Sequence, residues 1–317
     1  MSVSPPSVAQ DWKHLLKDFL KDAVHPLVVI LGPTASGKTA FAMRIAKECK
    51  IENEKWKMME VINGDSRQLY RHLDIGTAKI SKEEMRGVPH HLIDVLDPKE
   101  EVTAAWYKEH AQKTIDGILE RGHVPLLVGG SMLYLSAVVD DLRFPANADP
   151  AIRRKLEAEY ASDGGRRLHE RLTKIDPETA NSVHPHNKPY LIRALEIAVQ
   201  TGKAPSVART KGRSRYDLLI FGMDCPREEL SRRIRARVHA MFEMGWVEEV
   251  RGLTVRGYGS EDPGMKSLGY REIMEALQER SPDWNVLEET IQTKSMHYAK
   301  RQMTWWRRDP RIRWIDT

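Results

Sequence analysis

The amino-acid sequence predicts an α/β fold, a parallel sheet core with an inserted all-helical domain. The run LVVILG is apolar at every position, which is typical of a strand buried on both faces of a parallel sheet. A glycine-containing loop follows, and residues 38–50 then repeat apolar side chains at helical spacing. A later segment, residues 140–202, is charged, helical and poor in strand signals, which predicts the insertion.

Further strands and helices extend this pattern along the chain. MMEVING, VPLLVGG and YDLLIFGMD read as strands, and TAAWYKEHAQKTIDGILERG reads as a helix. Strands that alternate with helices favour a doubly wound sheet. The predicted domains are the first part of the core at 1–139, the insertion at 140–202, and the second part of the core with C-terminal helices at 203–317.

Composition excludes several classes of protein. Hydrophobic residues make up 41% of the 317 residues, enough for a buried core, and the net charge of +5 is too small to establish nucleic-acid binding by itself. Cys49 and Cys225 lack CxxC spacing, so neither a disulfide framework nor a cysteine zinc site is predicted. Apolar runs have strand length, and the first residues resemble no signal peptide. We expect a cytoplasmic protein with no membrane partner.

The strongest motif is GPTASGKT, which satisfies GxxxxGK[ST] between the predicted first strand and helix. Its glycines let backbone N–H groups curve around phosphate oxygens, and the helix N-terminus adds a positive dipole. Lys38 supplies positive charge, and Thr39 is the predicted Mg²⁺ ligand. The core is therefore predicted to be P-loop NTPase-like, although the motif leaves the phosphate ester open. The predicted phosphate-binding residues are Gly32, Pro33, Thr34, Ala35, Ser36, Gly37, Lys38 and Thr39.

Asp65 follows the second predicted strand in the segment NGDSRQLY. Ligands of open α/β sheets bind at the carboxyl ends of the strands, so Asp65 is expected to face the phosphate loop and could accept a proton from a nucleophile. Alternatively, Asp65 and Ser66 only cap a following helix. The local sequence does not decide between these interpretations.

Longer blocks of sequence resemble one known family. GPTASGKT, DSRQLYRHLDIGTAK, GVPHHLIDVLDP and LLVGGSMLYL, followed by RALEIAVQTGK, RIRARVHAMFEMG, SLGYRE and YAKRQMTWWR, resemble the successive signatures of the tRNA dimethylallyltransferase family. The blocks cover most of the chain from Leu27 to Asp316, in family order and at similar spacing.

The resemblance implies transfer of the dimethylallyl group of dimethylallyl diphosphate to N6 of the adenosine on the 3′ side of the anticodon. Asp65 then matches the general base, Thr39 with Mg²⁺ the diphosphate clamp, and Arg237 the arginine that reaches the diphosphate. Without the resemblance, Arg237 would be assigned to a solvated basic helix face beside Arg232, Arg233 and Arg235. The predicted catalytic residues are Asp65, Thr39 and Arg237.

The predicted RNA contacts have two sources. The resemblance implies contacts to the tRNA anticodon stem-loop from most of them, and the interleaved basic and aromatic residues near the C-terminus predict Lys300 and Arg301 on the RNA side and at least one tryptophan in the core. Arg193 could instead pair with Glu196 on a helix. The predicted tRNA-binding residues are Asp65, Ser66, Arg67, Gln68, Leu69, Ser131, Arg153, Pro189, Tyr190, Leu191, Ile192, Arg193, Lys266, Ser267, Leu268, Gly269, Tyr270, Arg271, Lys300 and Arg301.

Other interpretations remain open. Ser295 and Met296 stand where many family members have threonine and arginine, so a contact from that arginine is absent or replaced by Lys294. A P-loop kinase or ATPase is disfavoured because no Walker-B strand is evident, and a non-catalytic RNA-binding protein because the catalytic set is intact. Free AMP is the alternative acceptor, although the basic insertion favours tRNA. We expect Mg²⁺ as cofactor, a monomer, and a structural role for His90 and His91.

Overall fold

The computed structural model describes residues 12–48, 55–144, 149–208 and 212–317. The chain divides into a helical unit, Asp140–Ser214, and an α/β unit formed by the segments before and after it. The first segment contains α1 (Trp12–Asp22), β1 (Pro26–Leu31), α2 (Lys38–Glu48), β2 (Met59–Asn63), α3 (Lys82–Met85), β3 (His90–His91), α4 (Ala104–Glu120), β4 (Val124–Gly129) and α5 (Met132–Val139). The helical unit contains α6 (Pro150–Asp163), α7 (Arg166–Ile175), α8 (Pro177–Ser182), α9 (Lys188–Thr201) and α10 (Pro205–Ala208). The last segment contains β5 (Asp217–Asp224), α11 (Arg227–Glu243), α12 (Trp246–Val255), α13 (Tyr270–Ala276), α14 (Trp284–Trp306) and β6 (Ile312–Asp316).

Within the described residues, six strands form one sheet in the order β3-β2-β4-β1-β5-β6, and every neighbouring pair is parallel. The central strand β1 pairs with β4 and β5, so that Leu31 lies level with Gly129 and Gly222. Parallel strands end at the same edge of a sheet, and the loops after β2, β4 and β1 are therefore neighbours. The predicted α/β fold with a parallel sheet core is confirmed.

The unbroken apolar run of β1 is explained by burial on both faces of the sheet. Leu27, Val29 and Leu31 belong to one hydrophobic cluster, whereas Val28 and Ile30 belong to a second. All six residues of β1 are buried. Burial of each large aliphatic side chain contributes about 1.5–3 kcal/mol, so this strand anchors the loop that follows it.

The helical unit has its own core, which includes Leu156, Leu172 and Leu195. Its end differs from the predicted boundary at residue 202. The side chain of Asp176 accepts the backbone N–H of Ser206 at 2.7 Å, which ties α10 to the start of α8. Residues up to Ser214 therefore belong to this unit, because capping and packing join α10 to its neighbours.

Among the described residues, no helix is both long and apolar enough to cross a membrane. Cys225 is a buried free thiol. Cys49 and Lys50, the last two residues of the predicted helix 38–50, lie outside the described residues.

Candidate active site

The loop between β1 and α2 has the shape of an anion cradle. Gly32 and Gly37 have φ angles of 151° and 86°, values that L side chains rarely adopt. The buried Ser36 hydroxyl donates to the Pro33 carbonyl at 2.8 Å and braces the loop from within. The N-terminus of α2 opens directly behind the loop, so its backbone N–H groups and helix dipole favour a bound phosphate group.

Lys38 brings its charge to this loop. Its ammonium group donates to the Pro33 carbonyl at 2.6 Å. The residue is partly exposed by surface area, yet protein atoms crowd its ammonium group. This burial, followed by repulsion from Arg237 and opposed by attraction to Asp65, lowers the pKa of Lys38 to about 8. Lys38, Arg237 and Asp65 therefore lie close enough to influence one another.

Gln302 of α14 holds the phosphate loop in place, a role that the sequence did not predict. Its side-chain oxygen accepts the Thr34 N–H at 2.9 Å, and its amide nitrogen donates to the Gly130 carbonyl at 2.9 Å. Gln302 is buried on the same face of α14 as Ala299 and Trp306. A polar residue on that apolar stripe was the available signal, because a buried amide requires partners.

Asp65 sits just beyond the end of β2 and is half-buried. Its side chain accepts the Arg67 N–H at 2.9 Å, and its own N–H donates to the buried Asn63 side chain. No helix begins at this position, because the chain turns through residues 66–69 instead. Helix capping therefore does not explain Asp65, and the alternative role as a base stays a prediction.

The turn after β4 supports the Asp65 loop. The Ser66 N–H donates to the Ser131 hydroxyl at 2.8 Å, and the Ser131 N–H donates to the Gly64 carbonyl at 3.2 Å. At Gly129, an added Cβ atom would overlap the Gly64 backbone. The two strand ends thus approach each other as closely as their backbones allow, which fixes the position of Asp65.

A cavity of about 510 Å³ opens beside these loops. Helices α11 and α14 and the loop before α13 complete its wall. The predicted site residues that line it are Thr34, Asp65, Ser66, Arg67, Arg237, Lys266, Ser267, Leu268, Arg271 and Arg301. The structure therefore brings together residues that are far apart in the sequence.

The cavity is cationic where it meets the phosphate loop. Crowding by protein atoms lowers the pKa of Arg237, although an arginine stays protonated in proteins. Among the described residues, the Arg237 guanidinium has neither a hydrogen-bond partner nor an ion-pair partner. An unpaired guanidinium near Lys38 strongly favours the binding of an anion.

Tyr298 forms part of the wall near Asp65, and sequence reasoning missed it. Burial and the nearby Asp65 carboxylate raise the pKa of Tyr298 to about 12, so its hydroxyl is neutral. The Arg301 guanidinium lies 5.6 Å from the centre of the Tyr298 ring. An aromatic face and a cation therefore stand beside the carboxylate, a combination that suits a nucleobase.

Several predicted RNA contacts have structural roles instead. Leu69 and Tyr270 are fully buried, and the Tyr270 hydroxyl donates to Glu249 at 2.6 Å. Gln68 donates to the carbonyls of Thr77 and Ala78. The core covers the side chains of Leu69 and Tyr270, so both pack in this structure, and their contact with RNA stays a prediction. Gly269 is buried as well, and an added Cβ there would overlap the ring of Trp246.

Lys300 and Arg301 point to different places although they are adjacent. Arg301 lines the cavity, whereas Lys300 lines a second hollow between α11 and α14, together with Met296 and Met303. Met296 accepts a hydrogen bond from the Ser231 hydroxyl at 3.1 Å. Trp306 is buried in the core, as the sequence predicted for at least one tryptophan, and Trp305 is 45% exposed. Lys294, which could replace the family arginine absent at Met296, pairs with Glu272 at 2.7 Å at the cavity wall.

The helical unit carries the remaining predicted RNA contacts. Pro189 and Tyr190 are exposed at the start of α9, whereas Leu191 and Ile192 are buried in the core of the unit. The contact of these four residues with RNA stays a prediction. Arg193 pairs with Glu196 at 3.1 Å, which is the helical ion pair that the sequence left open.

Thr39 is the one protein oxygen predicted to hold Mg²⁺. Its side chain is exposed in the first turn of α2. Mg²⁺ usually retains several waters and takes one or two protein ligands together with substrate phosphates, so a single hydroxyl beside a phosphate cradle fits this ion. The described residues contain no cluster of three histidine, cysteine or carboxylate side chains suited to a metal. His91 pairs with Glu60 at 2.6 Å, and His90 with the Val88 carbonyl, as expected of structural histidines.

Comparison with known proteins places this site in context. The family model for IPP transferase matches residues 68–309. Proteins named tRNA dimethylallyltransferase from Desulforudis audaxviator and Moorella thermoacetica are 45% and 44% identical to this chain. The first alignment covers 92% of both proteins, and the second covers 92% of this chain and 90% of the relative.

Similar solved structures carry names of the same kind as these relatives. The tRNA isopentenylpyrophosphate transferase of Bacillus halodurans is 40% identical over 92% of this chain and 90% of its own, with a TM-score of 0.67. A eukaryotic dimethylallyltransferase acting on tRNA reaches a TM-score of 0.77 at 27% identity, over 92% of this chain and 73% of its own. With a family model that spans most of its length and relatives this similar along nearly all of it, the chain belongs to the IPP transferase family.

Proposed function

We propose that this protein transfers the dimethylallyl group of dimethylallyl diphosphate to N6 of the adenosine on the 3′ side of the anticodon in tRNA. Diphosphate is released. The observation that carries the proposal is the electrostatic interaction of Lys38 with both Arg237 and Asp65, two residues that line one cavity. The two cations suit a leaving diphosphate, and the Asp65 carboxylate suits an amine that must lose a proton.

The phosphate loop and its cations act on the leaving group. Backbone N–H groups at the start of α2, Lys38 and Arg237 hold the diphosphate and stabilise the charge that develops as its bond to the allylic carbon breaks. Thr39 would hold Mg²⁺, which supplies further positive charge to the diphosphate oxygens when it is bound. The electron pair of the broken bond leaves with the diphosphate.

Asp65 acts on the acceptor. The adenine amine is a poor nucleophile because its lone pair is delocalised into the ring. As the bond from N6 to the allylic carbon forms, N6 becomes more acidic, and the Asp65 carboxylate accepts one of its protons. The Arg67 N–H and the Ser131 turn keep the carboxylate in place.

The acceptor is an RNA base that leaves its stack to enter the cavity. Enzymes that modify a base inside a folded nucleic acid extrude it into a pocket, where aromatic and basic side chains hold it. Tyr298, Arg301 and Lys266 offer such a wall. The relatives named tRNA dimethylallyltransferase support tRNA as the acceptor.

The test uses the full chain with Mg²⁺ and labelled dimethylallyl diphosphate. Anticodon stem-loop RNA and AMP are offered in separate reactions, and the label is followed by chromatography of nuclease digests. We expect label on N6 of the adenosine 3′ of the anticodon, with little on AMP. Transfer to AMP but not to RNA would contradict the proposed acceptor, and no transfer to either would contradict the proposed reaction. ATP in place of the donor tests the kinase alternative.

A further inference from the structure

A buried carboxylate lies between two helices of the helical unit. It is not one of the predicted site residues. Glu196 of α9 is fully buried. Its Oε2 atom lies 3.1 Å from Nη1 of Arg193 on the same helix and 3.9 Å from Nη1 of Arg153 on α6. Its Oε1 atom has no hydrogen-bond partner. One oxygen therefore serves two arginines, while the other serves none.

This arrangement is unfavourable as a stability device. Removing a carboxylate from water costs several kcal/mol, and an apolar residue of similar volume often stabilises a fold as well or better. An oxygen without a partner adds to that penalty. The carboxylate instead stabilises the arrangement of the two arginines, because two guanidinium groups from different helices repel each other unless a shared anion holds them together.

The two arginines reach the surface although the carboxylate does not. The Arg153 side chain is 40% exposed and the Arg193 side chain 28% exposed, against 0% for Glu196. Arg153 also meets Glu157, which is 41% exposed, at 3.4 Å. Two guanidinium groups fixed at the surface form a fork that fits phosphate oxygens, since arginine binds phosphate through parallel N–H donors.

We propose that Glu196 is a positioning residue for the RNA substrate: it holds Arg153 and Arg193 together so that both guanidinium groups meet the phosphate backbone of tRNA. The inference rests on the proposed function. Because an ordered fork loses little side-chain entropy when RNA binds, Glu196 strengthens binding without touching the RNA. The exposed Glu157 does the opposite, since it competes with phosphate for Arg153.

The matched pair Glu196→Gln and Glu157→Gln tests this directly. Each variant removes one negative charge, and charge alone would lower the KM for tRNA in both. Positioning predicts that only Glu196→Gln raises the KM for tRNA. We expect Glu196→Gln to raise the KM for tRNA about tenfold, with kcat and the KM for dimethylallyl diphosphate unchanged, and Glu157→Gln to leave the KM for tRNA the same or lower.

A double-mutant cycle separates positioning from folding. In the background of Arg153→Ala and Arg193→Ala, Glu196→Gln should raise the KM for tRNA no further, because nothing is left to position. A rise of the same factor in that background would overturn the inference and make Glu196 a structural residue. Glu196→Met, which fills the buried volume without charge, should repeat the effect of Glu196→Gln, and thermal unfolding verifies that both variants fold.

The outcome for the wild type keeps the two proposals distinct. If the wild type transfers no label to the anticodon stem-loop, the proposed function fails. If it does, and Glu196→Gln has the wild-type KM for tRNA, only the positioning role fails.

Discussion

At the scale of single residues, the cavity wall combines carboxylates with a larger number of cations. The Asp65 carboxylate accepts the Arg67 N–H of its own loop, and Lys38 of the phosphate loop interacts electrostatically with both Asp65 and Arg237. A carboxylate and cations at one site suit a reaction in which an anion leaves and a proton is lost. Replacing Asp65 should therefore affect catalysis, and replacing Lys38 should affect binding of the donor.

Replacing Asp65 by asparagine should abolish the base and keep the loop. Asparagine can still accept the Arg67 N–H through its side-chain oxygen. We expect kcat to fall by about 10² to 10⁴, as for the loss of one general base, with the Kd for dimethylallyl diphosphate nearly unchanged. Steady-state kinetics with stem-loop RNA and a donor binding titration measure both. A variant within a few-fold of the wild type would remove Asp65 from the chemistry.

The lowered pKa of Lys38 predicts how donor binding depends on pH. Below about 8 the ammonium group is charged and attracts the diphosphate, and above it the charge is lost. The affinity for dimethylallyl diphosphate should therefore fall as the pH rises from about 7.5 to 9.5, by up to tenfold per pH unit at the upper end. Lys38→Met should bind weakly and show a flat profile in this range. A wild-type profile that stays flat would contradict the assignment.

At the scale of secondary-structure elements, α14 connects regions that are far apart in the sequence. Gln302 links the phosphate loop to the turn after β4, while Tyr298 and Arg301 of the same helix line the cavity. Without Gln302, the Thr34 N–H and the Gly130 carbonyl in the loops after β1 and β4 would lose these hydrogen bonds. The helix thus acts as a clamp on the active edge of the sheet.

Gln302→Leu tests this clamp, with Gln292→Leu as its control. Both glutamines are buried on α14 and form side-chain hydrogen bonds, but Gln292 pairs with Glu288 and Arg235, away from the phosphate loop. Each loss should cost about 1–3 kcal/mol in the free energy of unfolding. Only Gln302→Leu should weaken donor binding, by about tenfold, in a calorimetric titration. Equal donor affinities in the two variants would refute a specific role for Gln302.

The sheet edge at β3 depends on one buried carboxylate. Glu60 of β2 pairs with His91, Arg121 and His123, which joins β3 and the turn before β4 to β2. Burial alone would raise the pKa of Glu60, but the bonds from Arg121, His123 and His91 lower it to about 2. The carboxylate therefore stabilises the folded state above its unfolded pKa of 4.5, and this contribution is lost as the pH falls towards 2.

Glu60→Gln should accordingly destabilise the protein in a pH-dependent way. The wild type should exceed the variant by at most about 3 kcal/mol in the free energy of unfolding at pH 6, and by less than about half of that at pH 3. Urea unfolding at both values measures the difference. Glu109→Gln on the exposed face of α4 is the control and should differ little from the wild type at either pH. A Glu60→Gln deficit that persists undiminished at pH 3 would contradict the linkage.

At the scale of the whole molecule, substrate binding divides between two kinds of surface. The proposed diphosphate site is a loop with backbone donors and partly buried cations, whereas the RNA contacts proposed on the helical unit are side chains at the surface. Salt screens exposed charges far more than buried ones. The two substrates should therefore respond differently to ionic strength.

The affinity for tRNA should fall steeply with salt and that for the donor only weakly. Each phosphate neutralised contributes a log–log slope of about −0.7 to −0.9. Arg153→Ala combined with Arg193→Ala should flatten the slope for tRNA and spare the Kd for dimethylallyl diphosphate. Arg167→Ala, an exposed arginine of α7 that is not a predicted contact, is the control. An unchanged tRNA slope in the double variant would place recognition elsewhere on the protein.

The sequence by itself determined the phosphate loop, the parallel core and the position of Asp65 at a strand end. These features are local: a run of apolar residues, a glycine spacing or a turn after a strand is specified by neighbouring residues. The amphipathic helix α1 shows the limit of such patterns. The sequence analysis predicted no helix before β1, yet Trp12, Leu16 and Leu20 are buried in one hydrophobic cluster with residues of β1.

Only the tertiary structure decided which side chains share a site. Lys300 and Arg301 are adjacent in sequence yet face different hollows, because α14 turns about 100° per residue and packs on two sides. Leu69 lies in a block that resembles an RNA contact, but it is buried by residues far along the chain. Strand order and helix packing are set by long-range burial, which no local pattern records, so the cavity and the role of Gln302 emerge only from the fold.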